Sequence, residues 1–178
     1  MIRYYRGTGQ PVPNVTVALQ GSSPQSVTSA ADGHYALGGV AETGWRVSPR
    51  KTGDQRNAVS ALDAAYVLQA VAGTRTLDAR QTLAGDVTGD GTLSALDATR
   101  ILQRVVGVIG QFPAAQLCGS DWLFVPVPAS APNQSMTAPA FSAGTCEPGA
   151  ILFNPLAGDV AGQDFQALLI GDVTGNWQ

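Results

Sequence analysis

The twelve residues Asp86-Val87-Thr88-Gly89-Asp90-Gly91-Thr92-Leu93-Ser94-Ala95-Leu96-Asp97 decide how this chain is read. With Asp86 as loop position 1, oxygen-bearing side chains fall at positions 1, 3, 5, 9 and 12, and Gly91 takes position 6. A loop that wraps a hard cation needs this spacing, with a glycine where the backbone turns sharply. Asp86, Thr88 and Asp90 offer side-chain oxygens, Thr92 its backbone carbonyl, and Ser94 an oxygen acting through water. Asp97 closes the set where such loops usually carry Glu, and it also stands where a helix start favours an anion. Calcium suits the arrangement because it accepts six to eight oxygens with loose geometry.

The stretch around this loop occurs twice. Ser60-Ala61-Leu62-Asp63-Ala64 returns as Ser94-Ala95-Leu96-Asp97-Ala98, and the similarity runs on to Val71-Ala72-Gly73 and Val105-Val106-Gly107. Apolar periodicity predicts helices over residues 62–72 and 96–106, each stopped by its glycine, with a shorter helix within 77–84. A duplicated loop-then-helix unit is the simplest cause. In the first copy the loop positions fall on Thr52, Asp54, Arg56, Asn57, Ala58, Ser60 and Asp63, so position 1 lacks a carboxylate and position 5 carries a cation. Asp54, Ser60, Asp63 and the Ala58 carbonyl then form only part of a cage. Arg56 is expected either to bridge those carboxylates or to point into solvent. One calcium ion is expected in the second loop, with a degenerate site in the first. Residues 171–176, Gly-Asp-Val-Thr-Gly-Asn, echo residues 85–90 and could start a further calcium loop, but a shared turn is the preferred reading.

Composition agrees with a folded, non-polynucleotide protein. Of 178 residues 44% are apolar and 13% charged, and the net charge of −3 provides no basic surface for nucleic acid. Eleven of the thirteen acids are Asp, which favours turns, caps and oxygen cages over helix surfaces. No apolar run is long enough to span a membrane. No leader opens the sequence, so an exported protein is expected to carry its signal outside these residues. Cys118 and Cys146 lack metal-finger spacing; they are read as a disulfide if the compartment is oxidising, or as two buried thiols if it is not.

On either side of the helical stretch the pattern is strand-like. Short strands are expected at residues 15–19, 26–28, 34–37 and 45–48, separated by turns at Asp32-Gly33 and Thr43-Gly44. An extended run follows at 122–128, whose prolines favour a sheet edge. Residues 129–149 read as loop, and strands return at 150–153 and 164–170. Four or five strands in fifty residues are too few to close a core alone.

The duplicated unit resembles a dockerin, over roughly residues 52–108. That resemblance implies an extracellular, calcium-dependent module whose helices dock onto a cohesin domain. Loop positions 10 and 11 help choose a dockerin's partner; here they are Ala61-Leu62 and Ala95-Leu96, identical in both copies, which would permit docking in either of two orientations. The flanking segments resemble a second family. Gly9-Gln10-Pro11-Val12-Pro13-Asn14-Val15-Thr16-Val17-Ala18-Leu19, residues 31–40, and Trp45-Arg46-Val47-Ser48-Pro49 are similar to prealbumin-like carboxypeptidase regulatory and collagen-adhesin B-type modules. In such modules a closing Gly-x-Asp-Phe-x-Ala strand follows soon after; here it stands at Gly162-Gln163-Asp164-Phe165-Gln166-Ala167. The expected fold is therefore mainly β with an α insert. An Ig/prealbumin-like β-sandwich is formed by residues 1–50 and 112–178, interrupted by a dockerin-like calcium-binding pair at 51–111.

His34 is the only histidine, and no nucleophile–base pair or cleft-forming pair of carboxylates is recognisable, so no catalysis is expected. Trp45 and Trp122 are expected to fill the core rather than stack on sugars. Three functions remain, in order: a monomeric, non-catalytic calcium-stabilised module of a secreted or cell-surface protein, a dockerin recruiting a cohesin-like partner, and a polysaccharide-binding module. Exposed apolar faces on the two calcium helices would favour the second, and an exposed aromatic platform the third.

Overall fold

The structure, a computed structural model, describes residues 1–38, 44–142 and 144–178. Gly39, Val40 and Thr43, which belong to the expected 31–40 stretch and the Thr43-Gly44 turn, lie outside the described residues. In chain order the elements are β1 (Ile2–Tyr4), β2 (Thr16–Gln20), β3 (Gln25–Thr28), β4 (Trp45–Arg50), α1 (Ala61–Val71), α2 (Ala79–Gly85), α3 (Ala95–Val105) and α4 (Pro113–Cys118). They continue as β5 (Trp122–Pro126), β6 (Gln134–Thr137), β7 (Ala140–Ser142), β8 (Thr145–Glu147), β9 (Ala150–Phe153) and β10 (Phe165–Leu169). Three sheets and four helices among the described residues give a mainly β chain with a helical insert.

The chain divides into two compact units. One comprises Met1–Lys51, Phe124–Pro139 and Pro148–Ala167; the other comprises Thr52–Leu123, Ala140–Glu147 and Leu168–Gln178. The helical unit thus gathers more of the chain than residues 51–111.

In the strand-built unit an antiparallel sheet runs β3-β2-β4-β9-β6. Alternation along β2 sends Val17 and Leu19 inward and leaves Thr16 and Gln20 in solvent. A second sheet has the order β1-β10-β5, and β1 runs parallel to β10 with Ile2 opposite Phe165 and Tyr4 opposite Ala167. The chain's first strand therefore pairs with the Asp164-Phe165-Gln166-Ala167 segment. β5 lies at an edge, where Pro126 at its end costs no ladder hydrogen bond.

Residues 34–37 do not form the expected strand. Asp32 Oδ1 accepts from the His34 amide at 3.0 Å to close the turn, and Tyr35 is held by its hydroxyl, which donates to the Gln163 carbonyl rather than by a backbone ladder. Burial, reinforced by the Asp164 carboxylate, pushes the Tyr35 phenol well above its ordinary range. The 129–149 stretch is not all loop. Gln134–Thr137 pairs with β9, and Ala140–Ser142 with Thr145–Glu147 makes a hairpin. These strands are only three or four residues long and mix polar with apolar residues, too short to show an apolar alternation. α4 was also unforeseen: six residues cannot show a helical period, although Pro113 stands at its start, where proline is favoured.

In the helical unit α1 and α3 pack on each other, and Ala64, Val67, Ala98 and Ile101 of these helices are buried. Both helices end as expected, at Gly73 and Gly107 with φ of +72° and +77°. The amides of Gly73 and Thr74 donate to the carbonyls of Ala70 and Gln69, and those of Gly107 and Val108 to Arg104 and Gln103. This paired closure satisfies carbonyls left over at a helix end. Cys118 at the end of α4 and Cys146 on β8 form a disulfide with Cα atoms 5.2 Å apart. Closing a loop of sequence separation 28 is worth about 3–4 kcal/mol in the chain-entropy model. Replacing both cysteines by serine is expected to lower unfolding free energy by about 2–4 kcal/mol in denaturant titrations, with the helices retained by circular dichroism.

Candidate metal centre

The chain enters the 86–97 loop from the end of α2 and leaves it into α3. Asp86 and Asp97 are both buried. Asp86 Oδ1 accepts from the amides of Gly89 at 2.8 Å and Asp90 at 3.3 Å, and Oδ2 from that of Gly91 at 2.8 Å. The amide and hydroxyl of Thr88 each reach Asp97 Oδ1 at 3.0 Å, and the hydroxyl also lies 3.2 Å from Asp86 Oδ1. Asp97 Oδ2 takes the Ser94 amide at 2.8 Å and hydroxyl at 2.9 Å, completing a capping box. Ser94 Oγ in turn accepts the Leu96 amide at 3.2 Å. The loop thus brings together all the residues the spacing selected, Asp86, Thr88, Asp90, Thr92, Ser94 and Asp97, with the Ser94 hydroxyl engaged in the helix cap.

Burial pushes the Asp86 carboxyl above its ordinary value, and Asp97 adds to this, while the Gly89 and Gly91 amides and the Thr88 hydroxyl pull the other way. Asp90 is exposed and is held below the usual range by the hydroxyl and amide of Thr92. The balance leaves the Asp86 anion undercompensated. The donors are all oxygen, with neither thiolate nor imidazole among them, which is the chemistry of a hard cation. Gly91 meets a steric as well as a conformational demand: its φ is +91°, and an added Cβ would lie 2.8 Å from the Phe141 carbonyl oxygen.

The first copy reproduces the helix start. Ser60 and Ser94 have the same N-cap dihedrals, −140° and 172°, and Asp63 Oδ2 accepts the Ser60 amide and hydroxyl at 2.8 and 2.9 Å. Upstream the copies part. Asp54, Arg56 and Asn57 all have positive φ, and Asp54 Oδ1 pairs with Arg56 Nε at 2.8 Å. Arg56 thus bridges one of the first-loop carboxylates, Asp54, while remaining partly in solvent, and its guanidinium stacks over the Trp177 ring, 4.3 Å from the centroid. Asp54 is thereby engaged with Arg56.

What reaches Asp63 comes from elsewhere. Its Oδ1 accepts the Thr174 amide at 2.8 Å, as Asp97 Oδ1 accepts that of Thr88. Residues 171–176 are therefore more than a shared turn. The Gly-Asp-Val-Thr-Gly repeat is the sequence signal for this turn, but the contact with Asp63 joins residues 111 apart, which no contiguous loop pattern contains.

The helices also present matching apolar surfaces. Leu62 is 53% exposed and its repeat equivalent Leu96 50%. Ala61, Leu68 and Val71 on α1, like Ala95, Leu102 and Val105 on α3, are exposed as well. Trp45, Trp122 and Trp177 are buried, as expected of core residues for the first two.

A duplicated oxygen-loop-and-helix module is the class these residues define. Residues 53–106 match the family model of the dockerin type I domain. No curated protein and no solved structure matches the chain. No helix among the described residues is long and apolar enough to cross a membrane.

Gly91→Ala should destabilise the protein by about 1–3 kcal/mol through backbone strain, read as a lowered midpoint in chemical denaturation. Leu93→Ala serves as a comparison outside the strained position.

Proposed function

We propose that this chain is a calcium-dependent, non-catalytic assembly module of an extracellular or cell-surface protein, which recruits a cohesin-like domain through α1 and α3. The dockerin type I match over residues 53–106 supports this reading. The observation that carries it is the repeat-related pair of exposed leucines, Leu62 and Leu96, each beside an exposed alanine. A helical pair that only ordered the protein's own body would bury such side chains, because leucine gains from leaving water. The disulfide between Cys118 and Cys146 fits an oxidising compartment.

Asp86, Thr88, Asp90, Asp97 and the Thr92 carbonyl would hold the ion, with Ser94 acting through water. Bound calcium supplies the positive charge that buried Asp86 and Asp97 lack. The chain's own groups do the rest: loop amides orient Asp86, and the Ser94 cap fixes Asp97. The strand-built unit is proposed as a prealbumin-like sandwich interrupted by the dockerin-like module. The pairing of β1 with β10, which begins inside the Gly162–Ala167 motif, supports that organisation.

Calcium is expected to raise the melting temperature and chelator to lower it, because the ion binds the folded loop better than the unfolded chain. Asp86→Ala with Asp90→Ala should remove most of this response in calorimetric scans; a response of unchanged size would remove the loop from consideration. Against a panel of cohesin domains, the unaltered chain should bind in calcium and release in chelator. Leu62→Asp with Leu96→Asp should weaken that binding roughly 100-fold, as loss of two buried anchors implies. Each single change should do less if either helix can lead. Retained affinity in the double variant would sink the docking face.

A further inference from the structure

The first copy of the module lacks the opening half of its loop, and the segment from Asp172 to Trp177 occupies the equivalent place. Asp172 Oδ1 accepts the amides of Gly175 at 2.8 Å and Asn176 at 3.2 Å, and Oδ2 that of Trp177 at 3.2 Å. The Thr174 hydroxyl lies 3.3 Å from Asp172 Oδ1, and the Thr174 amide donates to Asp63. Each bond has its counterpart around Asp86: Gly175 stands for Gly89, Asn176 for Asp90, Trp177 for Gly91 and Thr174 for Thr88. Gly175 and Gly89 share the left-handed backbone as well, with φ of +72° and +75°.

The remaining positions come from the first repeat. Asp63 corresponds to Asp97, Ser60 to Ser94, and the Ala58 carbonyl to that of Thr92. The Asn176 side-chain amide faces the Ala58 carbonyl oxygen at 2.9 Å and Asp172 Oδ1 at 3.3 Å. With its NH2 turned toward them it donates to both, and it so joins residues from two distant parts of the chain. Asp172 and Asp63 are both fully buried.

We propose that Asp172, Thr174 and Asn176, together with the Ala58 carbonyl, Ser60 and Asp63, form a second calcium site whose loop is discontinuous in sequence. The pieces are held in register by three further hydrogen bonds. Gln81 donates from Nε2 to the Val173 carbonyl at 2.9 Å, the Gly171 amide donates to the Ala84 carbonyl at 2.8 Å, and Trp177 donates from Nε1 to the Asp54 carbonyl at 2.7 Å. Asp54 thus serves this site through its backbone rather than its carboxylate. With two carboxylates where the 86–97 loop has three, the composite site is the weaker of the two, since ligand charge sets affinity.

This inference rests on the calcium reading of the 86–97 loop, and the test separates them. Calcium titration calorimetry of the whole chain should find two ions. Asn176 is exposed, so its replacement leaves the fold intact by circular dichroism. Asn176→Asp should tighten the weaker ion roughly tenfold by adding a charged ligand, and Asn176→Ala should weaken or remove that ion alone. Asp86→Asn should weaken only the tighter one. Terbium bound beside Trp177 should emit on tryptophan excitation in the Asp86→Asn variant and less in Asn176→Ala. A single ion, weakened by Asp86→Asn and indifferent to both Asn176 changes, would overturn the composite site and leave the contiguous loop standing. Two ions, neither touched by Asp86→Asn, would overturn the contiguous loop; no ion at all would overturn both.

Discussion

One carboxylate at the third position of each repeated helix ties the module together. Asp97 and Asp63 cap their helices through one oxygen, taking both the amide and the hydroxyl of the preceding serine. Through the other oxygen each receives a threonine amide from a Gly-Asp-Val-Thr-Gly turn. Helix start and loop are therefore not independent elements. Moving either carboxylate would uncap a helix and detach a loop at once, so the ends of α1 and α3 and the orientation of their exposed faces follow from these two side chains.

The anionic loop and the apolar faces are linked through this arrangement. Buried aspartates near one another are costly unless positive charge or donors compensate them, and amide donors alone leave the Asp86 carboxyl displaced upward. In the proposed reading a divalent ion would supply the remainder, which would link the placement of Leu62 and Leu96 to an ion that neither leucine touches. The valines following the two buried aspartates, Val87 and Val173, are wholly buried and lend their carbonyls to Ala114 and Gln81. The turns are thus anchored by apolar packing as well as by hydrogen bonds.

Much of this was legible from residue spacing. The 86–97 loop, the two helices and their glycine stops follow from side-chain chemistry that acts within a few residues. The closing strand at Asp164-Phe165-Gln166-Ala167 also had a sequence signal, whereas its partner β1, three residues long, had none. Other features did not, for physical reasons. β6, β7 and β8 are short, mix polar with apolar residues, and owe their existence to partners rather than to a pattern of their own. His34-Tyr35-Ala36-Leu37 has strand-like composition, yet the Tyr35 hydroxyl finds a carbonyl and no ladder forms. The association of Asp172 with Asp63 depends on three-dimensional proximity that a contiguous template cannot register.

The separation between Thr174 and Asp63 also orders events in time. Thr88 and Asp97 are 9 residues apart along the chain, whereas Asp63 and Thr174 are 111 apart. Loop-closure entropy makes the longer closure harder by about 2 kcal/mol for a flexible chain. The second loop can close locally while the polypeptide is still collapsing, but the first must wait until distant segments meet. The Ser60–Asp63 cap can therefore form locally, and only the Thr174 contact at its second oxygen depends on distant segments.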